Sequence, residues 1–268
     1  MDTKKITSCI SLLLLTGSLL AQDYALKQLE ESPRHHEWVE LESNYRTLYS
    51  FVAYPEKPEG ATVVLVIHEN RGLNDWARSM TDQLAEAGFI GIAPDLLSNF
   101  SDSIKKTSDF ASSDQARSAI YQLDKEQIIA DLHKVFDYGR NIPAANGKVA
   151  VMGFCWGGSQ CFRYSMNNTE VAASLVFYGT APVSDPIPFT KINSPVYGFY
   201  GGDDQRVNAT ISKTDSIMGA WQKIYQYEIY DGAGHAFMRR GDDPNGSMEN
   251  KNARDDSWKR LVQILKEL

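Results

Sequence analysis

A short apolar run, Val149-Ala150-Val151-Met152, leads without a break into Gly153-Phe154-Cys155-Trp156-Gly157-Gly158, and a helical stretch follows. A strand that reverses this sharply into a helix presses backbone against backbone. Glycines therefore flank the turn, where a Cβ would clash, and the side chain at the apex stands clear of the sheet. The spacing is that of a G-x-C-x-G nucleophile elbow with Cys155 at its apex. The helix N-terminus that follows favours a thiolate, yet an unperturbed thiol of pKa about 8.5 is only a few per cent ionised at neutral pH, so a neighbouring base is also needed.

The surrounding chain agrees with this local demand. From about Thr47 onward, short β-branched or aromatic runs alternate with longer amphipathic ones, with no repeat or low-complexity block between them, which predicts one α/β domain over 47–268. Thr62 to Ile67 is continuously apolar, as a central parallel strand covered on both faces must be. Asn74 offers a helix cap, Trp76, Met80 and Leu84 recur every four residues, Gly88 stops the helix, and Phe89 to Ala93 follows as a strand. Ser98 to Ser118, rich in Ser, Asp and Lys, is expected as a surface excursion placed to cover the site. Asp124 to Arg140 has helical periodicity, and Lys148 to Met152, Ala173 to Tyr178, Pro195 to Tyr200 and Gln226 to Tyr230 are expected strands. Leu261, Ile264 and Leu265 give a last helix its apolar face.

The N-terminus is of a different kind. Lys4 and Lys5 precede an apolar stretch from Ile10 to Leu20 that ends in Leu20-Ala21-Gln22, the pattern of a secretory signal peptide over 1–21. It is too short and too interrupted by Ser and Thr for a membrane span, so the mature chain is expected to be exported without one. Residues 22–46 are left as a lead-in segment. With 27 basic and 34 acidic residues, a net charge of −7 and no basic run, the chain lacks the electrostatic footprint of a nucleic-acid binder. Cys9, Cys155 and Cys161 are too few for a disulfide framework. His35-His36 is adjacent rather than at a metal-ligand spacing and is expected to be a solvated pair.

An elbow of this kind requires an acid and then a histidine later in the chain. Gly201-Gly202-Asp203-Asp204 follows one expected strand, and Asp231-Gly232-Ala233-Gly234-His235 follows the next. In a parallel sheet these carboxyl ends share one edge, where open α/β folds place their sites. His235 is thereby the expected base, and either Asp203 or Asp204 its orienting acid. His68, ending the first central strand, stays unassigned.

With these residues in place the chain resembles the dienelactone hydrolase family of α/β-hydrolases from roughly Thr47 to its end. The motifs that carry the resemblance are Ile67-His68-Glu69-Asn70-Arg71-Gly72-Leu73-Asn74, Ala93-Pro94-Asp95-Leu96, the Cys155 elbow, Gly201 to Val207 and Gly234-His235-Ala236-Phe237. The resemblance implies a mostly parallel central sheet with helices on both faces, and selects Asp204 over Asp203. It implies a catalytic role for Glu69, whose carboxylate contacts the resting thiol. It also implies an oxyanion hole from the backbone N–H groups of Trp156 and Asn70, and an arginine, Arg239, that holds a substrate carboxylate. A second family arginine is missing after Leu96, where Leu97-Ser98-Asn99 stands instead. Arg71 or Arg206 is a candidate replacement, and the expected substrate class widens to small-molecule esters and lactones. The chemistry expected is acyl transfer through a thioester, with no metal or organic cofactor. Two alternatives compete with it: a non-catalytic ligand-binding protein on the same scaffold, and a thiol redox protein using Cys155 and Cys161.

Overall fold

A computed structural model describes residues 17–57, 59–184 and 187–268. Of the expected signal segment, residues 1–16, Cys9 among them, lie outside the described residues. Helix α1 (Gly17–Glu31) opens the described chain and is followed by strands β1 (His35–Ser43) and β2 (Arg46–Tyr54). The apolar run becomes β3 (Ala61–Ile67), buried at every position. Helix α2 (Asp75–Glu86) begins where expected because Asn74 Oδ1 accepts from Ala77 N–H at 3.0 Å. Strand β4 (Ile90–Pro94) leads into the excursion, which contains a short helical turn at Thr107–Asp109 and helix α3 (Ser113–Ile120). Asp124 then caps α4 (Lys125–Arg140) through the N–H groups of Glu126 and Gln127. Strand β5 (Ala145–Phe154), helix α5 (Trp156–Ser165), and strands β6 (Ser174–Phe177) and β7 (Val196–Gly201) come next. The chain ends with α6 (Gln205–Asn208), α7 (Ile211–Ala220), β8 (Tyr225–Tyr230), α8 (Phe237–Asp242) and α9 (Met248–Lys266).

The strands form one sheet in the order β1-β2-β4-β3-β5-β6-β7-β8, antiparallel at β1–β2 and β2–β4 and parallel from β4 to β8. Side chains alternate along β3. Val64 and Val66 face a core completed by Trp76, Met80 and Leu84 of α2 and by Leu261 and Leu265 of α9. Val63, Leu65 and Ile67 face a second core closed by Leu132, Val135 and Phe136 of α4 and by Phe162 of α5. Each fully buried side chain of this size contributes roughly 1.5–3 kcal/mol, so both faces of the sheet hold it in place.

The lead-in segment is more than a lead-in. Its residues from His35 onward pair with β2 as the outermost strand of the same sheet, and Ala25 and Leu29 of α1 are buried in the first core. The excursion, expected only as a surface segment with little periodicity, carries ordered structure of its own. Ala116, Ala119 and Ile120 of α3 make a small cluster with Leu97, against which Phe100 and Phe110 pack. Eight residues give helical periodicity too few turns to stand out among so many polar neighbours. His36 is not solvated as expected: its Nε2 lies 2.7 Å from Asp82 Oδ1, whose carboxylate also takes Arg34, while His35 stays exposed. A buried carboxylate facing the strand end captured the ring, a partner that adjacency in sequence cannot show.

Candidate active site

Cys155 sits at the junction of β5 and α5 with φ 55° and ψ −113°, a left-handed conformation that a residue with a Cβ adopts only under constraint. The flanking glycines permit it. A Cβ at Gly153 would stand 2.1 Å from Gly157 O, and one at Gly157 would stand 2.3 Å from Ile67 O and 2.4 Å from His68 O. The backbone of the elbow is thus wedged against the end of β3, and the half-buried sulfur is turned toward the carboxyl edge of the sheet.

Three strand ends then bring the partners together. His235 Nε2 lies 3.1 Å from Cys155 Sγ, and His235 Nδ1 lies 2.5 Å from Asp204 Oδ2. Asp204 is buried and Asp203 is exposed, so the contact falls to Asp204, whose other oxygen caps α6 by accepting from Val207 N–H. The loop carrying His235 is held by Asn250 Oδ1, which accepts from Gly234 N–H at 3.1 Å. The imidazole packs edge-on against Tyr178 at 5.2 Å between ring centroids.

Glu69 is placed beside the sulfur but does not hydrogen-bond it, contrary to the expected contact. Its Oε2 accepts from Arg239 Nε at 2.8 Å and its Oε1 accepts from Tyr178 Oη at 3.3 Å. A guanidinium offers a charge-assisted bond, whereas a thiol is a weak donor, so the arginine takes the carboxylate. The sulfur is a resting thiol, as the family resemblance implies, and the helix N-terminus does not ionise it. Burial, reinforced by the negative charge of Glu69, pushes it up to about 11 against the opposing pull of the Trp156 N–H, Arg206 and Arg239. The resting sulfur is therefore protonated at neutral pH.

The other expected residues divide. Neither Asn70 N–H nor Trp156 N–H donates to a backbone carbonyl among the described residues, and the Trp156 amide points to the sulfur. Arg71 is drawn away onto the excursion, with Nη1 donating to Ser113 Oγ at 2.7 Å and Nη2 at 3.6 Å from Asp114. Arg206 is exposed on α6, two residues past Asp204, and its side chain has no hydrogen-bond or ion-pair partner among the described residues. Where a second family arginine was missing, Leu97 and Ser98 are fully buried.

His68 resolves as a structural ring. It is wholly buried, burial lowers it to about 4, and the neutral imidazole bridges Glu69 O through Nδ1 and Leu96 N–H through Nε2. Next to it, Asp95 anchors the excursion, accepting from Thr107 N at 2.6 Å, Thr107 Oγ1 at 2.7 Å and Leu97 N at 3.1 Å. Burial pushes Asp95 up to about 6. The excursion thereby reaches the site, where Asn70 Nδ2 donates to Tyr121 Oη at 3.1 Å. Cys161 is fully buried in the second core with its thiol pushed up to about 12, and it is unpaired. No group of three His, Cys, Asp or Glu is arranged for a metal ion, and no helix is long and apolar enough to cross a membrane, among the described residues.

Tyr178, Tyr121 and Asn250 were not foreseen. Tyr178 alone had a signal, since it stands at the carboxyl end of an expected strand, the position that marked Cys155, Asp204 and His235.

The sequence profile of the dienelactone hydrolase family matches residues 48–268. A protein of Saccharolobus solfataricus provisionally named carboxymethylenebutenolidase is 30% identical across 84% of this chain and 96% of its own length. One of the same provisional name from Escherichia coli is 26% identical across 81% and 82%. Among solved structures, a protein provisionally described as a dienelactone hydrolase from Klebsiella pneumoniae superposes with a TM-score of 0.76 at 20% identity, covering 88% of this chain and 99% of that one. A dienelactone hydrolase-like promiscuous phosphotriesterase from metagenomic libraries superposes with a TM-score of 0.73 at 23% identity, covering 88% and 98%.

Proposed function

The chain belongs to the dienelactone hydrolase family and is a hydrolase of carboxylic esters or lactones, and from that premise we propose that it works by acyl transfer through a thioester on Cys155. The observation that carries this reading is the contact chain from Cys155 Sγ to His235 Nε2 at 3.1 Å and from His235 Nδ1 to Asp204 Oδ2 at 2.5 Å.

Asp204 holds the Nδ1–H tautomer, leaving the Nε2 lone pair to accept the thiol proton as the sulfur attacks the substrate carbonyl. The carbonyl oxygen becomes an anion received by the N–H groups of Trp156 and Asn70, contacts worth about 10²–10³ in rate for each donor. Imidazolium then protonates the leaving alkoxide. A water deprotonated by Nε2 attacks the thioester, the acid leaves, and the thiol is restored. A thiol held at about 11 is ionised in only about one molecule in 10⁴ at pH 7, so deprotonation is coupled to substrate binding rather than complete beforehand.

Arg239 and Arg206 supply the positive charge around the sulfur, and Glu69 positions Arg239. This favours esters and lactones that carry an anionic group, with neutral ones also accepted. We propose further that the chain is exported, on the strength of Lys4, Lys5 and the apolar stretch from Ile10 to Leu20. Cell fractionation with an intact mass of the mature protein tests this, and full-length chain in the cytosol counts against it.

The test of the chemistry is rapid-quench mass spectrometry with an activated aryl ester. The acyl mass is expected on the peptide that contains Cys155, and Cys155→Ala is expected to lose both that adduct and turnover while keeping its circular dichroism. An adduct on another residue, or wild-type turnover in Cys155→Ala, overturns the assignment.

A further inference from the structure

Along the second half of α5, a cavity of about 390 Å³ opens between α5, the start of α4 and the segment after β6. Its volume lies within the roughly 300–1,000 Å³ range of small-molecule sites. None of Cys155, His235, Asp204 and Glu69 lines it, so it is separate from the site above.

Three cations converge on it: Lys125, Arg163 and Lys191. None of them has a side-chain hydrogen bond or ion pair among the described residues, in a chain whose net charge is −7. One acid, Glu126, shares the lining, which leaves a net excess of positive charge. A second, independent feature lies in the wall. Gln160 is only 8% exposed, and its side-chain amide has no hydrogen-bond partner among the described residues although it borders the cavity. The amide nitrogen and oxygen keep accessible surface, so this side chain is free to bond a ligand that enters the cavity. Apart from exposed Asn167 the remaining lining is apolar, with Met166 buried and Ile129 and Pro188 half-buried beside it.

From this geometry we infer that the α4–α5 cavity binds a small organic carboxylate, its charge met by Arg163, Lys125 and Lys191, its oxygen also met by the Gln160 amide, and its apolar body laid against Ile129 and Met166. A guanidinium matches a carboxylate in plane and the two ammonium groups reinforce it as point charges. Bare inorganic phosphate satisfies the cations but leaves the apolar walls uncovered, so the pocket favours the organic acid.

Calorimetric titration of the full chain with benzoate tests this. Saturable binding with a Kd below about 10 mM is expected, weakened about tenfold or more in both Arg163→Gln and Gln160→Leu, a loss of about 1.4 kcal/mol. Inorganic phosphate is expected to bind at least about tenfold more weakly than benzoate. Should Gln160→Leu fail to fold, Arg163→Gln, a change at a half-exposed side chain, carries the test alone. No saturation, wild-type affinity in Arg163→Gln, or phosphate binding as tightly as benzoate overturns the inference. So does a loss of binding in Arg239→Gln but not in Arg163→Gln, because that places benzoate at Cys155.

Discussion

Arg239 Nε donates to Glu69 Oε2 at 2.8 Å across a sequence separation of 170 residues, next to the Cys155 sulfur. The two charges act on the thiol in opposite senses. Glu69 disfavours the thiolate and Arg239 favours it, and with burial added the thiol rests at about 11.

Removing the carboxylate therefore lowers the thiol. In Glu69→Gln the repulsion is gone and Arg239 acts unopposed, so thiolate forms at lower pH. The pH dependence of iodoacetamide alkylation at Cys155 is expected to shift to lower pH than in the wild type, with buried Cys161 as an unreactive internal control. An unchanged or upward-shifted profile counts against the electrostatic account of the sulfur.

Arg206 is the exposed guanidinium on α6 that has no partner among the described residues. Arg206→Gln is expected to reduce the ratio of kcat/KM for a carboxylated aryl ester over its neutral analogue by about tenfold, or about 1.4 kcal/mol of transition-state binding. Paired kinetics on the two esters give the ratio directly, and a ratio equal to the wild type's removes Arg206 from substrate recognition.

The elbow depends on close backbone approach at Gly157. A methyl there meets Ile67 O at 2.3 Å and His68 O at 2.4 Å, both backbone atoms that cannot swing aside. Gly157→Ala is expected to cost about 1–3 kcal/mol or more and to displace Cys155 from His235. Urea unfolding together with esterase assay checks both parts, and a fully stable, fully active variant contradicts the geometry.

The contributions of Asp95 and His68 to stability change with pH in opposite senses. Asp95 is raised from 3.8 to about 6, so its contribution is full below pH 3.8 and is lost as pH rises through 6. His68 is lowered from 6.5 to about 4, so its contribution is full above pH 6.5 and is lost as pH falls through 4. Both groups are fully buried, and each shift amounts to about 3 kcal/mol, so the two nearly cancel. Asp95→Asn is therefore expected to gain up to about 3 kcal/mol more than the wild type between pH 4 and pH 6.5, on top of a roughly constant cost from the weakened Thr107 contact. Urea midpoints measured across that range decide it, and parallel profiles for the two proteins rule it out.

Much of the fold was legible because the signals are local. Asn74 and Asp124 announce helices through bonds to backbone groups two or three residues on, and the apolar run of β3 needs no distant partner to be recognised. The misses were those where a partner decides. β1 is half-exposed and takes its place by pairing with β2, α3 is held by Leu97 and the Asp95 anchor, and His36 is captured by Asp82.

The same division runs through the site. Glycines at 153 and 157, an apex cysteine, and an acid and a histidine following later strands in that order are properties of the chain itself, since sterics at the turn and strand polarity act over a few residues. The burial of Asp204, the rise of the Cys155 thiol to about 11, the capture of Glu69 by Arg239 and the unpartnered state of Arg206 among the described residues were settled only by folding. They depend on distances between groups roughly 30 to 170 residues apart and on how much water is excluded between them. Coulomb energy and desolvation follow those spatial quantities, which sequence spacing does not carry.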